Sequence, residues 1–256
     1  MSVADPFSLH GRTVLVTGAS GALGQRFADT LVRAGARVVG TARRADHPVL
    51  RALAERHAQR FVPAALDLTD DASIDALLER LAAETPTVQV LVNNAGIASS
   101  ARAIDTDDAT WRRVHATNLD GPRRLMQGWA AARIAAGEGG AVVNVTSILA
   151  SRTVPGTAPY ASAKAGLLHL GRALAVEWAR HGIRVNALSP GYIATDLNAA
   201  FFDTDAGQRL IARMPTRALG RPEDLDGALL LLASDASRHM SGAEIIVDGG
   251  HAVASL

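Results

Sequence analysis

Seven short apolar runs, rich in Val, Leu, Ile and Ala, recur along the chain, and most are continuous rather than alternating in polarity. They are Arg12–Thr17, Arg37–Thr41, Arg60–Leu66, Val88–Val92, Ala141–Thr146, Arg184–Leu188 and Glu244–Val247. Continuous runs of this length predict strands covered on both faces, as in a parallel sheet. Between them, apolar positions at helical spacing predict helices at about Ala22–Ala34, Val49–Ala58, Asp71–Glu84, Asp107–Ala136, Ala158–Arg180 and Pro222–Ser234. Strand and helix alternating this often predict right-handed parallel crossovers: an α/β, doubly wound, mostly parallel seven-stranded sheet with helices on both faces. No linker, repeat or low-complexity segment interrupts the pattern, so residues 1–256 read as one domain. The stretch at 192–220 fits neither period and is expected to form a covering loop at the carboxyl edge of the sheet.

Composition narrows the function. The 256 residues carry 26 Lys+Arg against 25 Asp+Glu, and a formal charge of +1 gives no basic face for nucleic acid. With no Cys, disulfides, thiolate nucleophiles and iron–sulfur clusters are excluded. The eight histidines include no helical i, i+4 pair, so no metal site is expected. The longest aliphatic run, Ala228–Ala233, is far too short for a membrane span, and Met1–His10 lacks the apolar stretch of a signal peptide. A soluble, cytoplasmic chain is the expectation. One detail is chemical: Lys164 is the sole lysine in a chain that otherwise uses arginine. Lysine differs from arginine in hydration, hydrogen-bond geometry and ease of deprotonation, which marks Lys164 as a candidate functional residue.

The first strand runs into Gly18-Ala19-Ser20-Gly21-Ala22-Leu23-Gly24 and then a helix. Glycines at this spacing allow a tight turn whose backbone N–H groups, with the positive end of the helix, face a pyrophosphate. Gly18, Ser20, Gly21, Leu23 and Gly24 are therefore candidate dinucleotide-binding residues, and the sheet is of Rossmann type. After the second strand the chain reads Ala42-Arg43-Arg44 with no acid before Asp46. An acid there would bind a free ribose 2′-hydroxyl, whereas arginine accommodates a 2′-phosphate, so Arg43 favours NADP(H) over NAD(H).

Several further motifs fall in one order: Asp67-Leu68, Asn93-Asn94-Ala95-Gly96, Asn118, Ser147, Tyr160-Ala161-Ser162-Ala163-Lys164, Pro190–Thr195 and Val247–Gly250. With the glycine turn they resemble the classical short-chain dehydrogenase/reductase family over essentially the whole chain. One departure stands out: the family's middle glycine position holds Ala22, with Gly21 before it, a spacing like that of the family's extended branch. That branch, which includes epimerases and dehydratases, carries a larger C-terminal substrate domain, and this length leaves no room for one.

Tyr160 and Lys164, four apart in a helical pattern, project from one face. Reduction of a carbonyl needs a proton delivered as hydride arrives. A free phenol with its pKa near 10 is roughly three units, or about 4 kcal/mol, from neutral operation. A nearby cation and hydrogen-bond donors supply such a shift. The resemblance implies that Lys164 does so while holding the nicotinamide ribose, that Ser147 holds the substrate carbonyl, and that Asn118 binds a water linking Lys164 to solvent. Thr146 is the adjacent hydroxyl, but strand alternation points it the other way. Asn118 read alone is a polar residue near a helix kink. The resemblance further places Asn94 and Gly96 along the nicotinamide half, Asp67 and Leu68 at the adenine, and Ile193 and Thr195 at the carboxamide. Asp67 read alone is equally the cap of the following helix.

The apolar covering segment, Leu197 to Phe202 and on through Leu210-Ile211, suggests a modestly hydrophobic small-molecule ketone or secondary alcohol. Relatives that act on carrier-bound 3-oxoacyl chains tend to carry basic residues where this chain has Ala135–Glu138 and Arg180–Gly182, which lowers that alternative. The family implies a homotetramer, for which Leu167, Leu168, Leu170, Leu174 and Trp178 are candidate interface residues or, equally, core. A catalytically silent dinucleotide sensor is the reading from another class; the complete Asn118, Ser147, Tyr160 and Lys164 set argues against it.

Overall fold

The computed structural model describes residues 5–83 and 87–254, without the side chains of residues 196 and 197. Glu84, the expected end of the third helix, and the Leu197 side chain of the covering segment lie outside the described residues. Among the described residues the strands are β1 (Thr13–Val16), β2 (Arg37–Ala42), β3 (Phe61–Ala65), β4 (Val88–Asn93), β5 (Gly140–Val145), β6 (Ile183–Pro190) and β7 (Glu244–Val247). They form one sheet in the order β3-β2-β1-β4-β5-β6-β7, with every pairing parallel. The strand order reverses between β1 and β4, so their carboxyl ends open a crevice at the switch point.

Residue alternation builds two cores. Val14 and Val16 of β1 face one side with Val38, Val90, Val143 and Leu188, while Leu15 faces the other with Val39, Leu91 and Val142. The first face is covered by α1 (Ala22–Arg33), α2 (Pro48–Arg56) and α9 (Asp226–Ala233), through Phe27, Leu31, Leu50, Leu229 and Leu232. The second is covered by α3 (Asp71–Ala83), α5 (Gly121–Ala135) and α6 (Ala158–Trp178), through Ile74, Leu77, Leu125, Met126 and Leu167. Among the described residues, no helix is long and apolar enough to cross a membrane.

Two elements differ from expectation, and on α6 the structure decides between two readings. The single helix expected over Asp107–Ala136 is α4 (Asp108–His115) and α5 joined by a π turn at Ala116–Asp120, where the Gly121 N–H reaches back five residues to the Ala116 carbonyl. The covering segment is helical, with α7 (Asp196–Phe202) and α8 (Asp205–Arg213). Leu167 and Trp178 are buried in the second core, Leu168 is also buried, and Leu170 and Leu174 pack against that core, so of the two readings of these residues, interface or core, core holds; the outward residues of α6 include His169, Arg172 and Val176.

Candidate active site

β1 ends at the turn that starts α1. Gly18 has φ +67°, and a Cβ there would sit 2.8 Å from the Ala95 Cα, so only glycine lets this loop pass the β4 loop. A Cβ on Gly24 would sit 2.2 Å from the Gly18 carbonyl oxygen, so glycine is what allows α1 to start against the turn. Gly21 is the residue before α1 and has ordinary extended φ; a Cβ there would meet nothing nearer than 3.6 Å. Gly21, the residue before α1, has no side chain to cap the helix, which leaves its first N–H groups open to a ligand. This open, uncapped helix start fits a dinucleotide pyrophosphate, as the glycine spacing predicts. Ser20 accepts the Gln25 amide through its carbonyl at 3.2 Å, and Leu23 packs against the first core.

The turn is stapled to the β4 loop. Asn94 donates through Nδ2 to the Thr17 carbonyl at 2.9 Å, and the Thr17 hydroxyl accepts the N–H groups of Asn94 and Ala95, each at 3.0 Å. Asn94 thus holds the turn in place with its own amide, a task its motif did not disclose. Next in chain, Gly96 stands where a Cβ would lie 3.1 Å from Asn118 Oδ1 and 3.4 Å from Lys164 Nζ. The structure therefore brings Gly96, Asn118 and Lys164 together at the crevice. Fully buried Asn118 accepts the Ile97 N–H and donates to the Ile97 carbonyl, both at 2.8 Å, from within the π turn.

Arg43 leaves the end of β2 exposed at the crevice rim, and its positive charge acts on Asp67. Arg44 instead pairs with Asp46 at 2.8 Å. Asp67 accepts the N–H of Thr69 at 2.9 Å and its hydroxyl at 2.7 Å, and these bonds hold its carboxyl below the usual range. The cap of α3 is Asp70, which accepts from Ala72, so the reading of Asp67 as the helix cap is corrected. Leu68 is buried beside it. On the far side of the crevice, buried Ile193 bridges to Gly220, and the Thr195 N–H donates to Asn198 Oδ1 at 3.0 Å at the start of α7.

β5 delivers the remaining groups. Thr146 turns inward, its hydroxyl 2.6 Å from that of Ser189, while Ser147 follows with its Oγ accepting the Leu149 N–H at 3.1 Å. That bond occupies one of the two acceptor lone pairs of the Ser147 hydroxyl and leaves its O–H free to donate. Lys164, 3% exposed, donates from Nζ to the Val145 carbonyl at 2.7 Å and lies 5.8 Å from the centre of the Tyr160 ring. Burial lowers the ammonium to about 8. Burial also pushes the Tyr160 phenol up, and the hydrogen bond with Ser147 pulls the other way. The downward shift expected of Tyr160 is therefore not met in the protein alone, because the ring is desolvated and the Lys164 charge is directed at a carbonyl. The covering segment and the C-terminal turn line a cavity of about 290 Å³, with Tyr192, Ile193, Met214 and His251 among its walls; it shares Ile193 with the candidate carboxamide site. Tyr192 follows Pro190-Gly191 in the motif but carried no sign of this position.

A glycine turn at a switch point, beside a Ser, Tyr and Lys gathered at the strand ends, defines a dinucleotide-dependent enzyme of the Rossmann class. The sequence profile described as Enoyl-(Acyl carrier protein) reductase matches residues 18–252. The cis-4-hydroxycyclohexanecarboxylate dehydrogenase of Sinomonas cyclohexanicum is 40% identical over 242 residues, covering 94% of this chain and 96% of its own. The 3-oxoacyl-[acyl-carrier-protein] reductase of Escherichia coli (strain K12) is 35% identical, covering 95% of this chain and 98% of its own. The gluconate 5-dehydrogenase of Burkholderia cenocepacia J2315, solved in complex with NADP and tartrate, superposes with a TM-score of 0.92 at 34% identity, over 98% of this chain and 99% of that one. The chain belongs to the short-chain dehydrogenase/reductase family, and is an NAD(P)-dependent oxidoreductase acting on CH–OH and C=O groups.

Proposed function

We propose that the chain moves a hydride between NADP(H) and a small secondary alcohol or ketone, with Tyr160 as the acid/base, Ser147 as the holder of the reacting oxygen and Lys164 as the cation behind them. The observation that carries this reading is the Lys164 ammonium, buried between the Val145 carbonyl and the Tyr160 ring on the helix that bears both residues. The residues present fit a nicotinamide dinucleotide: the uncapped start of α1 takes the pyrophosphate, Gly96 and Lys164 the nicotinamide ribose, and Ile193 and Thr195 the carboxamide. Bound there, the nicotinamide supplies or accepts the hydride. Tyr160 gives its hydroxyl proton to the carbonyl oxygen in reduction, and the Ser147 hydroxyl donates to the same oxygen and holds it at the phenol. Lys164 favours the phenolate that remains, and Asn118, fixed on Ile97, holds the water that returns the proton.

Arg43, exposed at the end of β2 with no acid before Asp46, supports NADP(H) over NAD(H). The cavity wall of Tyr192, Ile193, Met214 and Leu219 supports a substrate with an aliphatic or alicyclic body. Exposed Trp111 on α4, Val176 on α6 and Ile246 on β7 support a homotetramer formed by those elements, and the cysteine-free composition is consistent with the cytoplasm. The test is a panel with both cofactors: cis-4-hydroxycyclohexanecarboxylate, cyclohexanol, a sugar acid and a 3-oxoacyl thioester. Turnover of an alicyclic alcohol with NADP⁺ in preference to NAD⁺ is expected; turnover of the thioester alone, or of none, overturns the substrate reading.

A further inference from the structure

Arg152 lies on the loop between Ser147 and Tyr160, and its N–H donates to the Ile148 carbonyl at 2.9 Å, so the chain has turned back to within one residue of Ser147. Its side chain reaches away from that loop to the other end of the sequence. Nη1 donates to the carbonyls of His251 at 3.1 Å and Ala254 at 3.2 Å, and to that of Ala252 between them. Three main-chain oxygens converging on one cationic nitrogen make a charge-assisted clasp, stronger than neutral bonds. The clasped segment is the turn after β7, where Asp248 in turn accepts the Gly250 N–H at 2.8 Å.

The clasp ends at the substrate cavity. The His251 ring stands edge-on to Tyr192 at 5.5 Å, and Phe202 of α7 does the same at 5.9 Å. The chain at Tyr192 is tied on two sides: the Tyr192 carbonyl accepts the Gly220 N–H at 2.9 Å, and the N–H of the preceding Gly191 donates to the Val247 carbonyl at 2.9 Å. One side chain therefore connects the loop bearing Ser147, the C-terminal turn and, through His251 and Tyr192, the covering segment.

We infer that Arg152 is a positioning residue: by clasping residues 251–254 to the loop that carries Ser147, it sets His251 against Tyr192 and fixes the outer wall of the substrate cavity. That the wall faces substrate rests on the function proposed above, but the test needs no substrate. The chain has two tyrosines, so in a Tyr160→Phe background Tyr192 alone ionises and is read by its phenolate absorbance. Burial pushes that phenol up, and loosening of His251 lets it fall. The other titratable groups lining the cavity are Asp224, Asp248 and His251.

Four chains are compared: the Tyr160→Phe parent, Arg152→Met, a chain ending at Gly250, and the two changes combined. Arg152→Met keeps the aliphatic stem; Arg152→Ala replaces it should the Met variant fail to bind NADPH, which serves as the check of folding. Tyr192 is expected to titrate lower in each single variant than in the parent, and the combined variant is expected to titrate with the truncated chain. Arg152→Lys, which presents one cationic nitrogen to the same three carbonyls, is expected to titrate with the parent. The inference is overturned if Arg152→Met titrates with the parent, or if it lowers the truncated chain as much as the full-length one.

Discussion

The Lys164 ammonium donates to the Val145 carbonyl at 2.7 Å, and both groups are buried at the end of the sheet. Burial of that ammonium costs folding energy, which the bond only partly offsets. In the folded chain the ammonium loses its proton at about 8, against 10.5 for an ordinary lysine. Between those values the unfolded chain binds more protons, so stability rises with pH; below about 8 the full cost, about 3 kcal/mol, is present. For the chain without cofactor, Lys164→Met is expected to gain most relative to the parent at pH 7 and to lose about 3 kcal/mol of that gain by pH 10.5. Urea unfolding of both chains across this range checks it; a difference independent of pH contradicts it.

Arg43→Ala is expected to weaken NADPH binding by roughly tenfold or more, the worth of one charge-assisted contact of about 1.5–3 kcal/mol, while leaving NADH binding within about twofold. Fluorescence titration of the two cofactors measures this, and an unchanged preference removes Arg43 from the cofactor argument.

Gly24→Ala sets a methyl 2.2 Å from the Gly18 carbonyl, backbone against backbone, so neither side can yield cheaply. A loss of about 1–3 kcal/mol in stability is expected, together with weaker binding of both cofactors, because the turn and the start of α1 are forced apart. Gly21→Ala, whose methyl meets the Gly18 carbonyl only at an ordinary 3.6 Å, is expected to leave stability nearly unchanged, and thermal melts of the pair separate the two roles.

Asn118→Ala removes the side-chain partner of both the N–H and the carbonyl of half-buried Ile97, at up to about 1–3 kcal/mol for each unmet group. A destabilisation of roughly 2–4 kcal/mol is expected in urea, with or without cofactor. Full stability in this variant contradicts the assignment of both bonds.

Much of this was legible in the chain. Continuous apolar runs matched every strand to within two residues, because burial on both faces of the inner strands leaves little choice of residue type. The π turn holding Asn118 was not legible, since one extra residue between donor and acceptor leaves the apolar period almost intact. The helices α7 and α8 are too short for their period to stand out. A pattern along one helix left Leu167 and Trp178 open between interface and core; both lie in the second core. The choice of Ser147, Tyr160 and Lys164 followed from the family resemblance, but the Tyr160 shift did not, because it depends on burial, which no motif records. Arg152 escaped too: its partners are main-chain oxygens about a hundred positions away, and a carbonyl carries no mark in a sequence.

The central claim is that Tyr160 delivers the proton and does little else. Its most direct test is Tyr160→Phe, which keeps the ring and removes only the hydroxyl, measured for NADPH-dependent ketone reduction and for NADPH binding in the same preparation. Turnover is expected to fall by roughly 10²–10⁴, the usual worth of a positioned general acid, with NADPH binding within about twofold of the parent. Turnover that stays within a few-fold of the parent on the same ketone would contradict the account.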